Sequence, residues 1–259
     1  MSSDAKRFSH CPDHRIARLA CAVGLWALTG IASGQVKNVT PAEMAAVPRY
    51  CPYTHAFGRS GLPDSPSAEA KPWVAIMGPT FWHMHHYCWG KLNLLRAMRS
   101  TATEQERNHL LGAVVGDYWY VAQRAPRDFI LLPEIYAGIG EIELRRGRPQ
   151  EANKVFAEAR ALKPDYSPGY SHWAEYLIRS GQKAEAKQLV RTGLEYNPDA
   201  KTLREQYRLL GGNPAEIVAR VKEGGTVEPM DEGESLVLFE ESEPEQPAAS
   251  AAPRGAATP

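Results

Sequence analysis

The chain has 259 residues, which is enough for one domain of ordinary size with tails. Its 30 Lys and Arg residues balance 30 Asp and Glu residues, so the formal net charge is zero. A balanced charge argues against a nucleic-acid-binding protein, since such proteins usually carry a basic excess. The charge is unevenly distributed, because seven acidic residues and no basic residue lie between Asp231 and Glu245.

Residues 1–34 have the pattern of a secretory signal peptide. Basic residues precede an uncharged, mostly apolar run of 13 residues, Leu19 to Ile31, and small residues follow at Ala32 and Gly34. The run is too short for a comfortable membrane span, which needs about 20 residues. We therefore expect export to the bacterial periplasm or outside the cell, with no stable membrane insertion after cleavage. An uncleaved N-terminal anchor is the alternative.

Residues 35–79 are interrupted by prolines and glycines, which favour an irregular segment packed on helices. One short helix is predicted from Pro41 to Val47. Thr40 is its N-cap and Glu43, three residues later, completes a capping box.

Two cysteines, Cys51 and Cys88, would remain after cleavage of the signal peptide. Two cysteines in an oxidising compartment suggest one disulfide bond.

Residues 80–132 have a helical pattern of apolar residues. One helix is predicted from His83 to Arg99 and a second from Glu104 to Arg124, with Thr103 as its N-cap. We expect these two helices to form a divergent helical hairpin at the start of a helical stack.

Residues 133–166 and 167–200 superimpose on one another at a shift of 34 residues. The matched pairs are Gly147 and Gly181, Ala152 and Ala186, Pro164 and Pro198, Asp165 and Asp199, and Tyr136 and Tyr170. A fixed period of this length is typical of a helix–turn–helix repeat array.

These two repeats resemble the tetratricopeptide repeat family. The residues that carry the resemblance are Tyr136, Ile139, Gly140, Gly147, Ala152, Phe156, Ala159, Leu162 and Pro164, and then Tyr170, Trp173, Ala174, Leu177, Gly181, Ala186, Val190 and Pro198. Glu143 and Gly193 depart from the family's pattern, since an aromatic residue and an alanine are usual there. The resemblance implies an all-α fold: a short superhelix of helical hairpins, preceded by the irregular segment and followed by a disordered tail.

The resemblance also implies a non-catalytic interaction protein without a cofactor, which holds a peptide or another protein in a concave groove. Periodicity predicts that the first helix of each repeat lines this groove. The candidate groove residues are Glu134, Ala137, Gly138, Glu141, Ser171, His172 and Glu175.

Residues 201–224 are predicted to form two capping helices, the second from Pro214 to Glu223, because the last repeat would otherwise expose an apolar face. Residues 225–259 are acidic and then rich in Ala and Pro. Such a composition cannot bury enough apolar surface to fold, so we expect a disordered tail.

A histidine-rich segment supports an alternative function. His83, His85, His86 and Cys88 are residue types that bind zinc or copper, so the chain could be a metal- or redox-linked accessory protein. On a helix, at most two of the three histidines would point to the same side. A Cys51–Cys88 disulfide would also remove both thiolates from any metal site.

Catalysis has little support in the sequence. There is no Gly-x-Ser-x-Gly nucleophile motif and no glycine-rich phosphate loop. We therefore predict that the protein is not an enzyme.

Overall fold

The computed structural model describes residues 37–220. The predicted signal peptide and the predicted disordered tail lie outside these residues. The elements described below belong to one compact unit, which ends at Ala219.

The described part of the chain is mainly helical. Its α-helices are α1 (Pro41–Ala45), α2 (Lys71–Met77), α3 (Met84–Ala97), α4 (Glu104–Ala122), α5 (Leu132–Arg145), α6 (Pro149–Leu162), α7 (Pro168–Arg179), α8 (Lys183–Tyr196) and α9 (Lys201–Leu209). Short 3-10 helices cover Cys51–Tyr53, His55–Phe57, Gly78–His83 and Pro214–Glu216. Two-residue strands β1 (Gly61–Leu62) and β2 (Ser65–Pro66) pair antiparallel, with Leu62 opposite Ser65. No helix within residues 37–220 is both long and apolar enough to cross a membrane.

Consecutive helices pack as pairs, α3 with α4, α5 with α6 and α7 with α8. Each pair also contacts the next one, through α4 with α5, α6 with α7 and α8 with α9. The all-α fold predicted from the sequence is confirmed.

The turns at Gly147 and Gly181 are equivalent. Both glycines have a left-handed backbone, with φ of 72° and 79°. After each glycine a backbone N–H donates to the carbonyl five residues earlier, from Arg148 to Glu143 and from Gln182 to Leu177, both at 2.8 Å. This arrangement is a Schellman motif, in which glycine is favoured because it has no Cβ. The 34-residue period is therefore a structural repeat.

The same motif ends α9, but earlier in the repeat. Gly211 has φ of 71°, and the Gly212 N–H donates to the Tyr207 carbonyl at 2.8 Å. The residue that repeats Gly181 at a shift of 34 would be 215, so α9 stops one helical turn short. The exposed residues of α9 are polar, as the end of a helical stack requires, except Leu209, which is 75% exposed.

Glycines opposite aromatic rings set the spacing of two hairpins. A Cβ at Gly140 would lie 2.7–2.9 Å from three ring atoms of Phe156, which is fully buried. A Cβ at Gly90 would fall on the ring of Tyr118, which is also buried. The hairpin α3–α4 therefore uses the same close approach as the repeat α5–α6, although its helices are joined by a longer connection.

The N-terminal segment is fastened to α3 by a disulfide and an ion-pair cluster. Cys51 and Cys88 form the expected disulfide and are both fully buried. Glu43, in the predicted capping box with Thr40, accepts hydrogen bonds from Arg96 Nε at 2.6 Å and from Arg99 Nη2 at 2.6 Å. The hydrogen bond from Arg96 is the largest of the interactions that lower the pKa of Glu43 to about 2.

Two elements differ from the sequence prediction. The segment expected to be irregular contains α2, where Pro72 occupies the first turn and Gly78 ends the helix with φ of 59°. Proline is tolerated at that position because the N–H it lacks has no intrahelical partner. The helix predicted from Pro214 is only the 3-10 turn Pro214–Glu216, after which Ile217 is extended and packs against the repeat core.

Substituting Gly140 by Ala should destabilise the protein by about 1–3 kcal/mol, because the new methyl group displaces the buried ring of Phe156. The matched control is Gly112→Ala in α4, where the nearest atom that a Cβ would meet outside its own helix is the end of the Arg146 side chain, at 3.9 Å. That change should stabilise by about 0.5–1 kcal/mol through helix propensity. Urea unfolding of both variants checks the opposite signs, and equal effects would contradict the packing argument.

Replacing Cys51 and Cys88 together by Ser should lower the free energy of unfolding by about 3–4 kcal/mol, since the bond spans a sequence separation of 37 residues. Limited proteolysis should then cut first within residues 50–60, which the bond holds on α3. Unchanged stability and unchanged cleavage would show that the ion pairs of Glu43 hold the segment without the bond.

Candidate functional site

The first helices of successive hairpins pack directly on one another. Helix α5 contacts α7, and α7 contacts α9, whereas α6 and α8 do not pack together to the same extent. The first helices α5, α7 and α9 therefore lie closer together than the second helices, and α3 joins their face through side-chain contacts with α5.

Glu134, one of the predicted groove residues, lies in a partly buried polar cluster. Its carboxylate accepts a hydrogen bond from the Tyr87 hydroxyl and lies 3.6 Å from Lys91 Nζ. Burial, and then the charge of Glu134, raise the pKa of Tyr87 well above its usual value. Glu134 therefore joins α5 to α3 within the fold.

Three other predicted groove residues face the protein interior. Ala137 is 3% exposed and Ser171 is 7% exposed. Gly138 packs on Tyr118, where a Cβ would lie 2.9 Å from a ring carbon. Ala137 and Ser171 can offer a partner almost no surface, because each is buried between its own helix and neighbouring elements.

The two remaining glutamates form equivalent ion pairs one repeat apart. Glu141 lies 2.7 Å from Arg145, and Glu175 lies 3.3 Å from Arg179. Both pairs have i, i+4 spacing and both are accessible to solvent. His172 is half-buried, with its ring centroid 6.3 Å from that of Phe156.

Two exposed apolar side chains, which the sequence did not predict as part of the face, lie beside the Glu141–Arg145 ion pair. Leu95 is 37% exposed and Met98 is 44% exposed, both at the end of α3. Met98 Sδ lies 3.6 Å from Arg145 Nη1, so this apolar pair adjoins α5. The sequence does carry a signal for them, because α3 has an unusually wide apolar face. Packing against α4 alone cannot bury all of its apolar side chains.

The histidine-rich segment is built into the joint between α3 and α4. His86 Nδ1 lies 2.8 Å from Asp117 Oδ1, and both side chains are almost completely buried. The ring of Tyr120 stacks on His86 with centroids 3.7 Å apart, and the Arg124 guanidinium lies 3.6 Å above Tyr120.

The other two histidines have different surroundings. His85 Nδ1 is 3.0 Å from the Trp82 carbonyl, so it donates its proton there. Burial is the largest cause that lowers the pKa of His85 to about 4. Burial also lowers the pKa of His83, whose ring lies 5.8 Å from that of Tyr120.

A metal site would need these side chains to converge on one point. Cys88 is held in the disulfide. Within residues 37–220, no group of three His, Cys, Asp or Glu side chains is arranged to hold a metal ion. The contacts of His85 and His86 therefore support a packing role at this joint.

The pKa of His85 predicts an acid-sensitive stability. The folded pKa of about 4 lies below the unfolded value of about 6.5, so the folded state binds fewer protons between these values. The contribution of neutral His85 to the free energy of unfolding is therefore fully present above about pH 6.5 and is lost as the pH falls towards 4. Thermal unfolding of His85→Gln should show a smaller decrease in Tm over this range than the unmodified protein. His109→Gln, at an exposed position on α4, is the control and should keep the full decrease. Identical pH profiles for all three proteins would contradict the assignment.

Comparison with known proteins agrees with the repeated hairpins. Residues 143–207, from the end of α5 into α9, match the tetratricopeptide repeat family. No curated protein and no solved structure matches the chain. The equivalent turns at Gly147 and Gly181 lie within the matched residues, as do the glycine and alanine positions of the second repeat. Residues 143–207 therefore consist of tetratricopeptide repeats, as the 34-residue period of the sequence predicts.

Proposed function

We propose that the protein binds a peptide or another protein along the face formed by the first helices α3, α5 and α7, in the periplasm or outside the cell. The observation that carries the proposal is the direct packing of α5 on α7 within the tetratricopeptide repeats, with α3 joined to α5 through side-chain contacts. Such repeats are interaction modules, and neighbouring units create an extended binding surface. The buried disulfide is compatible with an exported protein.

The binding surface combines an apolar anchor with charged pairs. Leu95 and Met98 offer exposed apolar surface, which gains most from being covered by a partner. The ion pairs Glu141–Arg145 and Glu175–Arg179 lie on the next two first helices, α5 and α7. We therefore expect a partner segment with an apolar side chain near α3 and polar groups towards α7.

A role without catalysis fits the way the titratable side chains are used. Glu134 is engaged by Tyr87 and Lys91, and Asp117 is engaged by His86. In neither place does the described chain bring a nucleophile and a general base into the arrangement that covalent catalysis needs.

Site-specific photocrosslinking in the producing cell tests the proposed face. A photoreactive amino acid at Met98 or Glu175 should give the same adduct, because both positions lie on the first helices. The same amino acid at Glu158 in α6 or Gln188 in α8 is the matched control, since both residues are exposed on second helices. These control positions should give no such adduct.

Two further variants make the test quantitative. Met98→Asp should reduce the adduct formed at Glu175 by at least fivefold, because it places a charge in the apolar anchor. Ile130→Asp, at an equally exposed apolar residue between α4 and α5, should leave it unchanged. Equal crosslinking from first and second helices, or an adduct insensitive to Met98→Asp, would contradict the proposal.

A further inference from the structure

A surface concavity of about 760 Å³ lies on the N-terminal segment, outside the repeats. Helix α1, the 3-10 turn that follows the disulfide and helix α2 surround it. Its lining is Pro41, Met44, Ala45, Val47, Arg49, Pro52, Tyr53, Glu69 and Trp73. Seven of these nine side chains are aliphatic, aromatic or proline, so the floor is apolar and would gain from being covered.

Arg49 and Glu69 are the charged residues of the lining, and a second arginine, Arg59, lies beside it. Arg49 is exposed on its lining, and the Arg59 guanidinium lies 6.0 Å from the ring centroid of Tyr53, another lining residue. Within residues 37–220, no carboxylate lies within ion-pair distance of Arg49 or Arg59. Glu69 is the one acidic residue of the lining. An anionic ligand is therefore favoured over a cationic one.

Exposed apolar side chains continue from the concavity onto the surrounding surface. Ile76, one helical turn after Trp73 on α2, is 47% exposed. Leu62, at the β-turn between β1 and β2, is 67% exposed. Isolated exposed apolar residues need no explanation, but here two of them belong to the segment that also forms the apolar floor.

The sequence places an apolar run close to this segment. Leu19 to Ile31 ends six residues before Lys37, where the described chain begins, and Lys37 is four residues from Pro41 of the lining. A retained anchor would hold the N-terminal segment at the membrane, and a signal peptide would bring it past the membrane surface once, during export. A membrane lipid is therefore a ligand that the N-terminal concavity would meet.

We propose that the N-terminal concavity binds an anionic phospholipid of a membrane surface. An acyl chain covers the floor formed by Met44, Val47 and Trp73, and the phosphate lies between Arg49 and Arg59. Guanidinium groups suit this role because they donate two parallel hydrogen bonds to a phosphate. The site is separate from the face of the first helices, and neither proposal depends on the other.

Calorimetric titration of the full chain with dihexanoyl phosphatidylglycerol, below its micelle concentration, tests the proposal. Dihexanoyl phosphatidylcholine and inorganic phosphate are the comparison ligands. We expect binding of phosphatidylglycerol, at least tenfold weaker binding of phosphatidylcholine, and no detectable binding of phosphate. Arg49→Gln combined with Arg59→Gln should weaken phosphatidylglycerol binding by about 25-fold, since each basic residue near an anionic lipid contributes about fivefold. Arg127→Gln, at an exposed arginine between α4 and α5, should change nothing.

A second pair of variants tests the apolar floor without risking the fold. Ala45 and Ala46 are adjacent and both exposed, but only Ala45 lines the concavity. Ala45→Gln should weaken phosphatidylglycerol binding by at least fivefold, whereas Ala46→Gln should leave it within twofold. Equal affinity for the two lipids, or no effect of the arginine or Ala45 variants, overturns the proposal. Saturable binding of a synthetic acidic peptide, residues 232–242, without binding of phosphatidylglycerol, would also overturn it by making this a peptide site.

Discussion

The contact between a glycine of one helix and an aromatic ring of its partner is the constraint on which the hairpins depend. Helices pack with their axes 8–10 Å apart according to the side chains at the contact. At Gly140 and Gly90 there is no side chain, so the rings of Phe156 and Tyr118 occupy the space that a Cβ would need. Gly193 of α8 plays a similar role, since a Cβ would lie 2.9 Å from Tyr170 of its own hairpin and 2.8 Å from Leu203 of α9. Small residues in α3, α5 and α8 thus determine how closely successive helices approach, and with that the face that the first helices share.

The N-terminal segment gives the molecule features that the repeats alone would not have. The disulfide and the ion pairs of Glu43 hold this segment on α3. The 3-10 turn containing His55 is thereby brought to His85, with ring centroids 6.0 Å apart. The apolar concavity is formed by the same segment. By holding this loop-rich segment on α3, the disulfide and the ion pairs therefore create a contact between two histidines and an open apolar surface.

The parts of the fold that the sequence predicts are those set by local rules. The left-handed turns at Gly147 and Gly181 require glycine, and their 34-residue spacing makes the repeat visible. Cys51 and Cys88 are the pair expected to remain after removal of the predicted signal peptide, so their bond was predictable. Helix α2 was missed because Pro72 and Gly78 lie at its two ends, within a stretch whose many prolines suggest irregular structure. The helix expected from Pro214 does not extend past Glu216, since Ile217 packs on the core in an extended conformation.

The candidate site was harder to predict, because exposure depends on tertiary packing. Periodicity placed Ala137 and Ser171 on the binding face, yet neighbouring elements bury both. Leu95 and Met98 are residue types that usually lie in a core, and only the packed structure shows that they are left exposed. The contact of His86 with Asp117, 31 residues further along the chain, likewise joins groups that no local pattern brings together.

A double-mutant cycle at Gly140 and Phe156 tests the packing constraint most directly. The free energy of unfolding is measured for Gly140→Ala, Phe156→Leu and the double variant. The account predicts that the Phe156 ring occupies the space of the missing Cβ. Gly140→Ala should then lower the free energy of unfolding by at least 1 kcal/mol less in the Phe156→Leu background than in the wild-type background, because leucine is smaller and more flexible. An equal cost of Gly140→Ala in the two backgrounds would contradict the account.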